Sequence, residues 1–254
     1  MSDRAPATEN VDIETRSVPG IAAGALVVGM TPVMTGVGFL VGSPALLPIL
    51  SAAPGYAAMY LSLRRGRRAA AVGLMLLWAA ALGVSATGAA WLFPERAAVV
   101  TLHGPAYWEE MRGWLETGQG AESEPAKFFP QHVLHAALFA GLSLVTGSIV
   151  SIVFGAALMN YMGYYVARVA ALSAAHPALT AFLGWHPWSV IRVGSFVVIG
   201  VILAEPVLSR VQGTRRPIGA SRRWLALAGA GLVVDLALKT LAAPYWPALL
   251  RSLR

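Results

Sequence analysis

Two histidines at helical spacing are the first residues in this sequence that could do chemistry. His132 and His135 are three positions apart, so both imidazoles would lie on one face of a helix. Neutral imidazole is a common ligand of Zn, Cu, Fe and Ni. The pair therefore predicts a divalent transition-metal site, for which His176, His186, Glu109 or Glu110 could supply a further ligand from elsewhere in the chain.

The same histidines could perform acid–base catalysis instead. Imidazole is a common general acid and base in enzymes, and Glu109 or Glu110 could supply the carboxylate partner of His132 and His135. The chain has no cysteine, which excludes thiolate nucleophiles and cysteine-ligated metals. Any metal site must therefore be built from His, Asp or Glu.

A second set of candidates consists of polar residues inside long apolar stretches. Asn160, Arg168, Arg192 and Asp235 interrupt segments that are otherwise typical of membrane spans. An ionisable side chain at the bilayer centre costs about 3 kcal/mol or more, so such residues are functional candidates. They are predicted to bind a substrate along an intramembrane polar path.

Simpler interpretations exist for several of these charges. Asp235 and Lys239 are four apart and could pair with each other on one helix. Glu205 lies close to Arg210 near a predicted span end and could extend into the aqueous phase. Arg192 begins a predicted span, so its side chain could reach the surface in the same way.

Composition identifies the solvent around most of the chain as lipid. Of 254 residues, 57% are apolar and only 12% are charged, which is too apolar for a soluble domain of this size. The sequence predicts an all-α polytopic bundle in contact with the bilayer and with no nucleic-acid partner. About seven spans are predicted, at 20–41, 44–62, 69–93, 132–146, 149–173, 188–208 and 224–243.

The stretch 132–208 could contain two helices or three, which makes six spans the alternative. Gly147-Ser148 resembles a helix end followed by an N-cap and favours three. Short cytoplasmic loops are enriched in basic residues. The seven-span topology places most of them on one side, namely Arg4, Arg16, Arg64, Arg65, Arg67, Arg68, Arg210, Arg215, Arg216, Arg222 and Arg223.

This orientation predicts a cytoplasmic N-terminus in the plasma (inner) membrane of a bacterium-like cell. Residues 1–19 are expected to form a disordered cytoplasmic tail, and 20–254 a single transmembrane domain with an extracytoplasmic segment at 94–131. Within that segment, 106–116 has the pattern of a short amphipathic surface helix that could cover a cleft. Gly-rich spans, for example Gly20-xxx-Gly24, allow close helix packing and homo- or hetero-oligomers.

Two short stretches are similar to parts of the CAAX-type intramembrane endopeptidases. They are Glu109-Glu110 and the F-x-x-x-H from Phe182 to His186. That family is helical and uses a Glu pair with an Arg, followed by histidines and an Asn. Here Arg112 follows the glutamates two places too early, and no H-x-x-x-N follows His186. The similarity is confined to these stretches and does not assign the chain to the family.

Three functions remain compatible with the sequence, and none carries a specific motif. A solute- or lipid-handling transporter or binding component is favoured, with Pro32 and Pro54 kinking spans beside the polar path. A membrane hydrolase on the outer face would use the His and Glu site. A structural subunit of a membrane complex would need no site, so enzymatic activity is left open.

Overall fold

In the part of the chain that the structure describes, seven helices are long and apolar enough to cross a membrane. They belong to a computed structural model that describes residues 20–211, 213 and 221–254. The predicted tail at 1–19 and the basic residues Arg4, Arg16, Arg215 and Arg216 lie outside the described residues. The described helices are α1 (Ile21–Val41), α2 (Leu46–Arg64), α3 (Arg68–Leu92), α4 (Pro94–Val100), α5 (Gly104–Thr117), α6 (Pro125–Thr146), α7 (Ile149–Ala171), α8 (Pro177–Gly184), α9 (Pro187–Val211), α10 (Arg222–Ala242) and α11 (Trp246–Arg251).

The predicted all-α fold with seven spans is confirmed, and α1, α2, α3, α6, α7, α9 and α10 are the spans. One boundary differs enough to matter for function. Helix α6 begins at Pro125 and not at 132, because proline suits the first position of a helix and could not continue a preceding one. His132 and His135 therefore lie inside α6, about two and three turns from its first residue, and not at its start.

The break at Gly147 decides between six spans and seven. Gly147 adopts a left-handed conformation with φ 59°, which glycine tolerates without strain, and its N–H donates to the carbonyl of Ser143. Ser148 also has a positive φ, and its hydroxyl donates to the Gly200 carbonyl of α9 at 2.7 Å. The side chain of Ser148 thus fixes the α6–α7 turn to α9 and does not cap α7.

Helix α3 packs closely against α7 and also contacts α9 at the centre of the bundle. Gly163 of α7 lies so near α3 that an added Cβ would be 2.7 Å from the Cβ of Ala86. Between α2 and α3, the indole of Trp78 donates to the Ser51 carbonyl at 2.9 Å. The small residues permit this close approach, and the interhelical hydrogen bond adds to the helix association. Both features are expected where lipid leaves no hydrophobic driving force between helices.

The short helices α4, α5, α8 and α11 gather at one end of the bundle, which we call the α5 end. The amphipathic helix predicted at 106–116 is confirmed as α5, but its apolar face packs against protein. Met111, Trp114 and Leu115 are each at most 1% exposed and join a cluster with residues of α7 and α11. Arg251 donates to the Leu115 carbonyl of α5 at 2.8 Å, which fixes α11 there.

The opposite end of the bundle carries the arginines of the α2–α3 turn and we call it the arginine end. Glu205 of α9 pairs with Arg68 of α3 at 2.7 Å, and the Glu205 side chain is 5% exposed. The interpretation that Glu205 extends into water is therefore wrong, because an interhelical ion pair neutralises it inside the bundle.

Candidate functional site

A cleft opens between α3, α6, α7 and α9, and the space along its walls, including the part open to the surroundings, is about 1100 Å³. Its polar lining comes partly from the spans and partly from the α5 end, where Tyr107 and Glu110 of α5 reach it. The helix predicted to cover a cleft thus contributes residues to one. The polar residues of the lining are Tyr107, Glu110, Glu122, Gln131, His132, His135, Tyr161, Ser189, Arg192 and Lys239.

Polar and apolar lining residues occupy different depths. Along α9, Ser189 and Arg192 come first, and Phe196 and Val201 follow. Helix α6 runs in the same direction and repeats the order, with its histidines before Phe139. At about 1.5 Å per residue, the apolar part on α9 extends roughly 12 Å towards the arginine end. Further apolar lining residues are Met75, Trp78, Ile152, Met159, Val193 and Val197.

A buried ion pair between α9 and α10 lies at the polar end of the cleft. Arg192 donates to both carboxylate oxygens of Asp235, from Nε at 2.9 Å and from Nη2 at 3.1 Å. The Asp235 side chain is fully buried. Bidentate geometry of this kind is the strongest form of an Arg–carboxylate pair. His132 Nε2 is 3.4 Å from the same carboxylate, which is long for a hydrogen bond.

A second ion pair joins α10 to the loop between α5 and α6. Lys239 Nζ is 2.9 Å from Glu122 Oε1, and the Trp188 indole donates to Glu122 Oε2 at 3.3 Å. The ammonium group also lies over the Phe128 ring, 4.7 Å from its centre. Burial alone would raise the pKa of the Glu122 carboxyl, but the positive charges of Lys239 and Arg192 and the hydrogen bond from Lys239 help to lower it to about 2. Glu122 is therefore ionised at neutral pH.

These contacts correct two interpretations of the sequence. Asp235 and Lys239 do not neutralise each other on α10, because each finds its counter-charge on a different element. Arg192 does not extend to the surface, since it is held by Asp235. The physical reason is the same in both cases, because a pair between two separate elements keeps both charges away from lipid.

Both cations keep hydrogen-bond donors that could reach a ligand. A guanidinium has five N–H groups and Arg192 uses two of them on Asp235. An ammonium has three, and Lys239 uses one on Glu122. Both residues line the cleft. The polar end is thus a preorganised group of donors whose own charges are already balanced by Glu122 and Asp235.

The histidines predicted to bind a metal do not converge. His132 and His135 line the cleft together, and His132 Nδ1 is 2.9 Å from the Phe128 carbonyl. His176 is exposed at the start of α8, and His186 is buried behind the wall of the cleft. Within residues 20–211, 213 and 221–254, no three His, Asp or Glu side chains form a group that could hold a metal ion. The metal site stays a prediction for which the described part of the chain offers no matching geometry.

The two glutamates considered for acid–base chemistry have different surroundings. Glu110 lines the cleft with His132 and His135. Glu109 is exposed on the outer side of α5, 4.0 Å from Arg112. The structure thus brings three of the four predicted catalytic residues to one cleft and leaves Glu109 outside it.

Asn160 and Arg168, both predicted to bind substrate, lie outside the cleft lining. Asn160 is buried in α7, and neither its amide nitrogen nor its oxygen has a hydrogen-bond partner among the described residues. The Arg168 guanidinium lies over the Trp108 ring at 5.5 Å. Of the four predicted substrate-binding residues, Arg192 lines the cleft and Asp235 supports it.

His186 lies in a box of aromatic rings next to this site. Its ring stacks on Trp188 with centres 4.6 Å apart, and Trp114 and Trp246 meet it edge-on. Nε2 shares a hydrogen bond of 3.1 Å with the Tyr165 hydroxyl. Burial lowers the pKa of His186 to about 3, even though nearby Glu122 favours the charged form. The imidazole ring is therefore neutral at physiological pH, and its contacts indicate a structural role.

This low pKa predicts an acid-sensitive fold. As the pH falls, the unfolded chain protonates His186 near 6.5, before the folded chain does near 3. His186 thus has its full favourable effect above pH 6.5, and the free energy of unfolding falls by up to about 1.4 kcal/mol per pH unit below it. Unfolding in detergent should show this slope in the wild type between pH 6.5 and 4.5, and His186→Phe should lack it. Equal slopes would contradict the assignment.

Several residues that line the cleft were not predicted from the sequence. Glu122 was one of many acidic residues in the extramembrane segment, and nothing in its neighbours distinguished it. Tyr107 and Tyr161 face each other across the mouth with ring centres 4.6 Å apart. Lys239 was noticed but assigned to the wrong partner. The one available signal was that α10 carries two charges on the same face, which must point away from lipid.

No protein-family model, curated protein or solved structure matches this chain.

Proposed function

We propose that the protein binds a membrane amphiphile in the cleft between α3, α6, α7 and α9, as a lipid-handling binding component or transporter. The observation that carries the proposal is the division of one cleft into a charged half and an apolar half. A headgroup that accepts hydrogen bonds would meet Arg192 and Lys239. Its chain would lie along Phe139, Phe196 and Val201, towards the arginine end.

The chemistry of the cleft lining favours an amphiphile over a small polar solute. A polar solute would leave the apolar wall of the cleft without an apolar partner. A hydrocarbon would leave the N–H donors at the polar end without hydrogen-bond acceptors. An amphiphile matches both halves at once. Because the donors are held by Glu122 and Asp235, little reorganisation accompanies binding.

A bulky side chain in the cleft tests this proposal. Val193 lines the cleft, whereas Val190 lies one turn earlier on the same helix and is 54% exposed on the outside of the bundle. Val193→Trp should weaken binding of a fluorescent fatty acid or lysophospholipid by at least about tenfold, since it fills space that the chain needs. Val190→Trp, the matched control, should bind as the wild type does. Equal affinities in both variants would refute the proposed site.

A hydrolase acting on an ester-linked amphiphile is the second candidate. It is favoured by the presence of Glu110, His132 and His135 beside the proposed headgroup position. His135→Ala distinguishes the two functions, because that side chain lines the cleft and, among the described residues, its ring contacts that of Phe154. Loss of ester cleavage with retained binding would support the hydrolase. Unchanged binding with no cleavage by the wild type supports a binding or transport role.

A further inference from the structure

A second cavity lies on the other side of the bundle, between α1, α2 and α3. It has an empty volume of about 1070 Å³ and shares no lining residue with the cleft described above. Most of its wall is apolar, including Val27, Met30, Met34 and Leu74, and the small side chains of α2 leave its floor open. We call it the α1–α3 groove.

The groove ends at two arginines. Arg65 and Arg67 are exposed in the α2–α3 turn, and both line the groove at its arginine end. Neither makes an ion pair with any residue that the structure describes. Their neighbours are engaged otherwise, because Arg64 lies over the Tyr60 ring at 5.7 Å and Arg68 binds Glu205. Arg65 and Arg67 are therefore available to an external anion.

The position of this charge relative to the apolar wall matches one class of molecule. The groove runs along the outer surface of the spans, and α1 and α2 expose Leu26 and Leu61 beside it. An acyl chain entering from the bilayer would lie against this wall. Its phosphate would then be at the level of Arg65 and Arg67, where the first backbone N–H groups of α3 also lack intrahelical acceptors.

We propose that the α1–α3 groove binds an anionic phospholipid, with the phosphate against Arg65 and Arg67 and an acyl chain along α1 and α2. Charge complementarity selects this occupant. The two guanidinium groups have no carboxylate partner in the described chain, and basic pockets at the cytoplasmic level of a bundle suit anionic headgroups. The positive-inside rule places the same arginines on the cytoplasmic side. This site is independent of the cleft and of the function proposed for it.

Lipid binding to full-length variants in mild detergent tests the site. Native mass spectrometry would measure the affinity for phosphatidylglycerol and for phosphatidylcholine with matched chains. The Arg65→Gln/Arg67→Gln variant should bind phosphatidylglycerol about 25-fold more weakly, since each surface arginine contributes a factor of about five. Its affinity for phosphatidylcholine should change little. Arg222→Gln/Arg223→Gln is the matched control, because both arginines are exposed at the start of α10 and neither lines the groove.

Three results would overturn the proposal. The first is an equal loss of phosphatidylglycerol binding in the two double variants, which would indicate nonspecific surface charge. The second is a wild type that binds both lipids equally. The third is a protein that binds phosphatidylglycerol only after residues 1–19 are removed. That segment carries acidic side chains and precedes Gly20, which lines the groove, so this result would make the segment the occupant of the groove. Ala57→Trp, which fills the groove and keeps both arginines, should also abolish the preference.

Discussion

Replacing Lys239 by methionine is expected to lower the free energy of unfolding by about 3 kcal/mol or more. The substitution preserves the apolar stem beside Phe128 but leaves the Glu122 carboxylate, 13% exposed, without its closest counter-charge. Removing one partner of a buried ion pair costs about 3–5 kcal/mol, because the remaining charge is left desolvated. Denaturation in mixed micelles, followed by tryptophan fluorescence, measures the change.

The control for this prediction removes both charges. In Glu122→Gln/Lys239→Met, no uncompensated charge remains, and the glutamine oxygen can still accept from the Trp188 indole. Stability should return to within about 1 kcal/mol of the wild type. A double variant as unstable as the single one would mean that Lys239 acts through packing and not through its pairing with Glu122.

Removing the other ion pair is expected to separate folding from ligand binding. Arg192→Met/Asp235→Leu replaces both charges by apolar side chains of similar size, and such replacements of buried pairs are often neutral or stabilising. The helices should therefore remain packed. Amphiphile binding should fall by about 100-fold, because the headgroup loses charged hydrogen bonds worth about 3 kcal/mol.

The single variant Asp235→Leu provides the comparison. It leaves the Arg192 guanidinium without its carboxylate and should unfold more easily than the double variant. A purely structural role for this pair predicts a different pattern, in which the double variant is destabilised but binds the fluorescent amphiphile as well as the wild type. Stability and affinity measured on the same preparations distinguish the two roles.

The sequence contained most of the information needed for the spans. Runs of apolar residues about as long as a bilayer is thick, interrupted by Gly147 and by the arginines of the α2–α3 turn, predicted seven helices at nearly the observed boundaries. The predicted start of α6 at 132 was wrong because Lys127, Gln131 and His132 lower the local hydropathy. A helix can extend into the aqueous region, and proline at its first position favours this.

The site was harder to predict because its partners are distant in the chain. Asp235 is 43 residues from Arg192, and both contribute to the site through α9–α10 packing that no local pattern encodes. The i,i+4 spacing of Asp235 and Lys239 was consistent with a local pair and with two interhelical pairs. Only the fold decides between them. The volume of the cleft could not be predicted from the sequence either, because it depends on how Phe139, Phe196 and their neighbours pack.

The sequence of α10 contains a further signal about how this helix packs. Its buried residues are Ala228, Asp235 and Lys239, and apolar side chains such as Leu227 and Val233 are exposed around it. A span whose charges share one face must turn that face towards protein. The pattern indicates that α10 is held to the bundle by its charges, and it points to counter-charges on neighbouring elements.

Photolabelling with a diazirine-bearing fatty acid reports where the chain of an amphiphile bound in the cleft lies. We expect saturable labelling of Phe139, Phe196 and Val197, removed by excess unlabelled amphiphile and by Val193→Trp. Labelling confined to lipid-facing positions such as Leu138 and Val190, and unaffected by competitor, would contradict binding in the cleft.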